Sequence, residues 1–118
     1  EGKKVPIYGT GENVRDWLHV DDHCRGIYSV LMNGGSGEVY NIGGVGEITI
    51  KELATKIIER TGSKSKLVYV PFEEAYGHGF EDMQRRVPDI SKVKAKLGWS
   101  PTHTLDSIID SVAAHLKN

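Results

Sequence analysis

The clearest folding signal in the sequence is the stretch of residues 47–62, EITIKELATKIIERTG. Its first residues predict a short strand, and Thr49 and Glu52 then have the spacing of a capping box, in which two side chains satisfy free N–H groups at a helix start. The apolar residues of this helix recur at helical intervals and share one face: Ile50, Leu53, Ala54, Ile57 and Ile58. Gly62 ends the helix. A strand that leads directly into an amphipathic helix predicts a mixed α and β fold.

The same two patterns continue on the N-terminal side. Residues 4–8, KVPIY, predict a strand that Pro6 restricts to a sheet edge. Residues 14–20 predict a short strand or a strand-like loop, and residues 38–42 predict another strand. Between them, Asp21 is the predicted N-cap of a helix that ends at residues 33–35, Asn-Gly-Gly. Its apolar positions share one face: Cys24, Ile27, Tyr28 and Leu31.

The C-terminal side adds one strand and two helices. Residues 66–70 predict the strand, whereas residues 72–88 have no periodicity and predict a long loop, which in a compact domain is usually functional. Asp89 is the predicted N-cap of a short helix that ends at Gly98, and Trp99 is expected to fold back onto it. Thr104 is the predicted N-cap of the last helix. About four helices and three to five short strands result.

Composition restricts the class of protein. The 118 residues suffice for one domain, and 15 basic against 16 acidic side chains leave no charge excess to attract nucleic acid or an anionic membrane. No apolar run approaches the roughly 20 residues that span a bilayer. The single cysteine, Cys24, excludes an internal disulfide, and a small buried hydrophobic role is predicted for it. We therefore expect a cytoplasmic protein with no nucleic-acid or membrane partner.

Three polar segments are candidate sites, and each also has a purely structural interpretation. In the first, Pro6 and Tyr8 can enclose a flat base and Arg15 can bind a phosphate, although a surface hairpin with a paired Arg15 fits equally. In the second, Asn41 precedes a glycine turn and can bond a ribose or phosphate oxygen, or only fix the turn. The third, residues 79–86, carries a cluster that can grip a diphosphate and a ribose diol or form solvated ion pairs: Asp82, Arg85 and Arg86.

The sequence contains no convincing metal or dinucleotide site. His19, His23 and Cys24 lie close together, but no second pair of ligands follows at a suitable spacing, so no metal is predicted. Residues 9–11, Gly-Thr-Gly, lack the third glycine of a dinucleotide fingerprint and the strand–turn–helix context that it needs.

Three motifs in the correct order resemble the NAD-dependent epimerase/dehydratase family of extended short-chain dehydrogenases. They are VPIYGTG with RDWLHVDD at residues 5–11 and 15–22, GEVYNIGG at 37–44, and RRVPDISK with LGWSP at 85–92 and 97–101. The dTDP-glucose 4,6-dehydratase, UDP-glucose 4-epimerase and UDP-glucuronate decarboxylase branches are the most similar. The resemblance implies a small mixed α+β C-terminal substrate-binding domain, some of whose elements pack on a Rossmann domain.

The resemblance also implies roles for single residues. Pro6 and Tyr8 would lie against the nucleobase of a UDP- or dTDP-sugar, Arg15 would bind the diphosphate, and Asn41 would assist at phosphate or ribose. In the third segment Asp82 would take the ribose hydroxyls and Arg86 a phosphate, with Arg85 as a second candidate.

The family's redox residues are missing from this chain. None of its tyrosines is followed four residues later by lysine, so the Tyr-x-x-x-Lys acid/base pair is absent, as is the glycine fingerprint. The chain begins Glu-Gly-Lys-Lys, as an excised fragment does. We therefore expect no catalytic residue here, and an N-terminal Rossmann domain that binds NAD in a parent enzyme, which we expect to be a homodimer. The alternatives are a stand-alone nucleotide-sugar binding or interaction module, and a structural fragment that binds no ligand.

Overall fold

The computed structural model describes residues 2–79 and 82–117. Its elements follow the order β1 (Val5–Tyr8), β2 (Val14–Arg15), α1 (Val20–Asn33), β3 (Ile48–Thr49), α2 (Ile50–Thr61), β4 (Leu67–Val70), α3 (Phe72–Tyr76), β5 (Arg85–Arg86), α4 (Ser91–Leu97) and α5 (Leu105–Lys117). The predicted mixed α and β class is confirmed. None of the helices in the described residues has the length and apolar character needed to cross a membrane.

The strands form two small sheets. β1 pairs with β4 in parallel, and β2 lies between β3, its antiparallel partner, and β5, its parallel partner. Strands this short gain little from their own hydrogen bonds, so the helices that pack beside them must supply most of the stability. The β2 sheet matters most for function because it joins segments that are about 70 residues apart.

Helix boundaries follow the predicted caps with two exceptions, at the starts of α1 and α4. The Thr49 hydroxyl accepts the Glu52 N–H at 3.1 Å, the Thr104 hydroxyl accepts the Ser107 N–H at 3.1 Å, and Gly62 ends α2 in the left-handed conformation. The prediction of Asp89 as the N-cap of α4 is wrong by one residue: Ile90 is the N-cap, and the Asp89 carboxylate, one position before it, accepts the Ser91 N–H at 2.9 Å. The prediction of Asp21 as the N-cap of α1 is also wrong. The helix begins at Val20, and the His19 ring accepts the Asp21 N–H at 3.0 Å instead.

Three segments differ from the sequence-based prediction. Residues 38–42 form no strand among the described residues; Tyr40 and Ile42 pack on the core instead. Residues 14–20, for which a short strand or a strand-like loop was predicted, form a strand only at Val14–Arg15. The predicted loop 72–88 contains α3 and β5, because a helix of five residues is too short to show a period and β5 exists only through its pairing with β2.

The densest core lies between α1 and α4. Trp99 is 1 % exposed and packs with Ile90 and Val93, which confirms that it folds back on α4. Its indole N–H donates to the Asp22 carbonyl at 3.1 Å, so this large side chain satisfies its polar group while it buries its ring.

The apolar stripe of α1 faces outward. Asp22 and Gly26 form the buried face, whereas Cys24 is exposed, so the prediction of a buried cysteine is wrong. The rest of the stripe is also exposed: Ile27, Tyr28 and Leu31. An apolar stripe that no other described element covers indicates an interaction surface.

Candidate functional site

The pairing of β2 with β5 brings the first and third polar segments together. Val14 is in register with Arg85 and Arg15 with Arg86, and the Val14 N–H donates to the Gln84 carbonyl at 2.7 Å. The third segment therefore lies against the strand that carries Arg15. Phe80 and Glu81, which also belong to that segment, lie outside the described residues.

An ion pair joins the buried Arg15 to the partly exposed Asp82. The Arg15 Nη2 atom lies 2.7 Å from Asp82 Oδ2, and the arginine side chain is only 8 % exposed. Arg15 Nη1 also donates to the Val14 carbonyl at 2.7 Å. A guanidinium has five N–H donors, so these two contacts leave it able to bind a further anion. Two residues that sequence reasoning selected separately thus form one charged pair.

Asn13 is a member of the site that sequence reasoning missed. It is 5 % exposed, and its Nδ2 atom donates to Asp82 Oδ2 at 3.3 Å and to the Met83 carbonyl at 2.9 Å. Its position two residues after the glycine turn and two residues before Arg15 was the only available signal. The amide therefore ties the segment that carries Asp82 to the end of the β1–β2 turn.

A cavity of about 340 Å³ opens beside this pair and includes Pro6, Tyr8, Asn13 and Asp82 in its lining. Helix α3 adds two aromatic rings that sequence analysis had assigned to a loop. The Tyr8 and Tyr76 rings meet edge to face at 5.3 Å, and the Phe72 and Tyr76 centroids are 6.4 Å apart. A groove of about 670 Å³ elsewhere in the fold is larger, but neither Asn13 nor Asp82 lines it. The cavity is lined by aromatic rings and by the Asp82 carboxylate, and Arg15 pairs with that carboxylate without lining the cavity itself.

The remaining predicted residues, Asn41, Arg85 and Arg86, do not line this cavity. Arg86 is exposed and neighbours Arg15 across the sheet. Arg85 is also exposed and is ion-paired with Glu47, whose pKa this hydrogen bond holds below its ordinary value. The Asn41 amide donates to the Asp89 carbonyl at 3.5 Å, and within the described residues it bonds neither Arg15 nor Asp82. The structure thus brings Pro6, Tyr8, Arg15 and Asp82 together, with Arg86 beside them, and leaves Asn41 and Arg85 outside their hydrogen-bond network.

A cluster of His19, Asp21 and His103 has donor atoms within 4.8 Å of one another and so invites a metal interpretation. The two imidazole rings are stacked at 3.9 Å with an interplanar angle of 15°. Metal ligation uses the in-plane lone pair of each ring, and the lone pairs of parallel stacked rings do not converge on one ion. His19 Nδ1 is also occupied by the Asp21 N–H. The arrangement is better suited to packing than to metal binding.

The turn Gly9-Thr10-Gly11 does not fit a dinucleotide. It leads into the two-residue strand β2, whereas a dinucleotide pyrophosphate binds at a glycine turn that opens a helix.

Comparisons with known proteins identify the family. The family model of GDP-mannose 4,6 dehydratase matches residues 1–112. The dTDP-glucose 4,6-dehydratase of Streptomyces niveus is 42 % identical over all of this chain and 34 % of its own length. The crystal structure of dTDP-glucose 4,6-dehydratase from Bacillus anthracis in complex with NAD has a TM-score of 0.86 at 39 % identity, over 99 % of this chain and 36 % of that one. The UDP-glucose 4-epimerase of Thermotoga maritima with UDP-glucose also has a TM-score of 0.86, at 33 % identity, over 98 % of this chain and 35 % of that one.

The order of motifs, the mixed fold and these similarities agree on one class of protein, the extended short-chain dehydrogenases. The chain belongs to the NAD-dependent epimerase/dehydratase family. It spans about a third of the length of the relatives that it matches.

Proposed function

We propose that this chain is the nucleotide-binding part of a sugar-nucleotide dehydratase similar to dTDP-glucose 4,6-dehydratase. The observation that carries the proposal is the ion pair between the buried Arg15 and the partly exposed Asp82, whose carboxylate lines an aromatic cavity. A nucleoside diphosphate needs a flat apolar surface for its base, acceptors for its ribose hydroxyls and cations for its phosphates. The cavity and its rim combine these features within one site.

Each predicted residue has a place in this proposal. Pro6 and Tyr8 pack against the base, and Asp82 accepts the ribose hydroxyls. Arg15 binds the diphosphate with one of its remaining N–H donors, and the exposed Arg86 provides a second cation across the sheet. Asn41 and Arg85 keep weaker roles, since each would have to leave its present partner, the Asp89 carbonyl or Glu47, to reach a ligand.

The redox chemistry belongs, in this proposal, to a longer parent chain. NAD supplies hydride transfer and would be bound by an N-terminal Rossmann domain, since this chain has neither the dinucleotide turn nor the Tyr-x-x-x-Lys pair. The exposed stripe of α1 and the unpaired segment 38–42 would pack on that domain. The parent would be a cytoplasmic homodimer that uses a UDP- or dTDP-sugar.

A calorimetric titration of UDP and dTDP into the wild-type chain tests the proposal. Arg15→Ala should weaken binding about 10- to 100-fold, because it removes the buried cation and leaves the Asp82 carboxylate unpaired beside the phosphates. Arg60→Ala is the matched control, since Arg60 pairs with Asp110 on the exposed surface between α2 and α5 and should leave affinity unchanged. A folded wild-type chain that binds neither nucleotide would support the structural-fragment alternative and refute the proposed function.

A further inference from the structure

The backbone around Asn13 is fixed by helix α2. The Asn13 carbonyl accepts the Ile50 N–H at 3.0 Å, and the Gly11 carbonyl accepts the Lys51 N–H, also at 3.0 Å. These N–H groups belong to the first turn of α2, where no partner exists within the helix. The turn before β2 is therefore fastened to the helix start, and Asn13 is held in one position.

The orientation of the Asn13 amide follows from its neighbours. Both groups near one end of the amide, Asp82 Oδ2 and the Met83 carbonyl, can only accept hydrogen bonds, so that end must be the Nδ2 donor. Asn13 Oδ1 consequently turns away from Asp82 and Met83, and within residues 2–79 and 82–117 it receives no hydrogen bond.

The Oδ1 atom remains within reach of solvent. No side-chain oxygen or nitrogen of the described residues is both fully buried and unpartnered, so Oδ1 cannot be sealed in the interior even though Asn13 is 5 % exposed. Asn13 lines the cavity beside Tyr8 and Asp82. An acceptor held rigidly at the wall of a small cavity discriminates strongly between ligands that do and do not offer a donor.

We propose that Asn13 is a specificity-determining residue of the nucleotide site: Oδ1 accepts a hydrogen bond from the nucleotide, while Nδ2 orients Asp82. The inference rests on the proposed function. The ligand's donor is either a ribose hydroxyl or the ring N–H of a pyrimidine, both of which are O–H or N–H groups of the nucleoside and not of its phosphates.

The test compares four ligands on the 118-residue chain by calorimetry. They are UDP, UDP methylated at the ring N–H, UDP lacking both ribose hydroxyls, and inorganic pyrophosphate. Asn13→Ala should bind UDP about tenfold more weakly, which is the typical effect of one lost hydrogen bond. Its affinity for pyrophosphate should change less than twofold, because that ligand meets Arg15 and offers no nucleoside donor. The control Asn33→Ala, at the exposed end of α1, should match the wild type with all ligands.

The analogues identify the donor. In the wild type, the analogue that lacks the donor should bind about tenfold more weakly than UDP. In Asn13→Ala this difference should vanish for the ring-methylated analogue and should shrink for the analogue without ribose hydroxyls, because Asp82 also accepts those hydroxyls in the proposed function. A ring-methyl effect assigns the contact to the base, and a hydroxyl effect assigns it to the ribose. The wild-type measurements need no variant. Even if Asn13→Ala fails to fold, a wild type that binds both analogues as tightly as UDP would still contradict the inference.

Several results would overturn the inference. Equal losses for UDP and pyrophosphate in a folded Asn13→Ala would make the residue merely structural. Analogue effects that persist undiminished in Asn13→Ala, or analogues that bind the wild type as UDP does, would exclude the Oδ1 contact. A wild-type chain that binds UDP while Asn13→Ala binds it equally well refutes this inference alone, whereas a wild type that binds neither UDP nor pyrophosphate refutes the proposed function with it.

Discussion

Replacement of Asp22 by asparagine should destabilise the fold substantially. Asp22 is 1 % exposed, and its carboxylate accepts four hydrogen bonds: from the Thr102 N–H, the Thr102 hydroxyl, the His103 N–H and Arg25, at 2.9, 2.7, 3.0 and 3.1 Å. These bonds fasten the chain after Trp99 to helix α1. Burial alone raises the pKa of Asp22, but the hydrogen bonds from Thr102, His103 and Arg25 outweigh it and hold the pKa far below its ordinary value.

The geometry gives the magnitude of the change. Thr102 N–H and His103 N–H both donate to Oδ2, so the new amide must keep its oxygen there, and its NH₂ group takes the place of Oδ1. The NH₂ group can still donate to the Thr102 hydroxyl but meets Arg25, another donor. The variant loses one charged hydrogen bond, and its remaining hydrogen bonds no longer involve a negative charge. Together these losses lower the free energy of unfolding by about 2–3 kcal/mol. For a domain of this size that lowers the melting temperature by about 6–18 °C.

Urea unfolding followed by tryptophan fluorescence measures this difference across pH. Because the folded pKa of Asp22 is lowered, its stabilisation is present above the unfolded pKa of about 3.9 and is lost as pH falls through the folded value. The difference between wild type and Asp22→Asn should be constant from about pH 5 to 8 and shrink below about pH 4. Exposed carboxylates with lowered pKa values, such as Asp106 and Glu38, are common to both proteins and largely cancel. A variant within about 0.5 kcal/mol of wild type at neutral pH would refute the reasoning.

Two further substitutions test the packing and the exposed surface. Gly44→Ala would place a Cβ atom 2.3 Å from the Trp17 carbonyl oxygen and should cost about 1–3 kcal/mol in urea unfolding. Gly46→Ala is its control, because no atom lies within 4 Å of the new Cβ, and equal stability of the two variants would contradict the close approach. The exposed apolar stripe of α1 predicts that the chain self-associates, and Leu31→Glu on that stripe should reduce this self-association in sedimentation without lowering the melting temperature. A wild-type chain that sediments as a monomer at all concentrations would remove the basis of that prediction.

Local chemistry was sufficient to predict most of the helices. The capping box of Thr49 and the glycine stop at Gly62 act within one turn of the helix that they bound, so the sequence alone locates α2. The start of α1 was misplaced because His19, which is not a common N-cap, competes with the more usual Asp21. The next residue, Asp22, accepts hydrogen bonds from residues about 80 positions away, and no local sequence pattern predicts such contacts.

Strands were less predictable because a strand depends on its partner. Residues 38–42 have the composition of a strand but have no pairing partner in the described residues, whereas β5 consists of two exposed arginines and is a strand only because β2 lies beside it. Propensity therefore predicted the strand that does not form and missed the one that does.

The same dependence on long-range pairing explains what sequence could and could not predict about the site. The sequence alone predicts the chemistry of Arg15 and Asp82, because a guanidinium binds phosphate and a carboxylate accepts hydrogen bonds from a diol. Their juxtaposition requires the parallel register of β2 with β5, and the orientation of Asp82 requires Asn13, which is itself positioned by the start of α2. A nearly buried cation binds an anionic ligand tightly, but burial of an unpaired charge lowers the stability of the fold. Such a cation therefore needs a negatively charged partner in the ligand-free protein. Asp82 meets that need in the free protein, so the residue expected to recognise ribose also makes the nearly buried Arg15 tolerable.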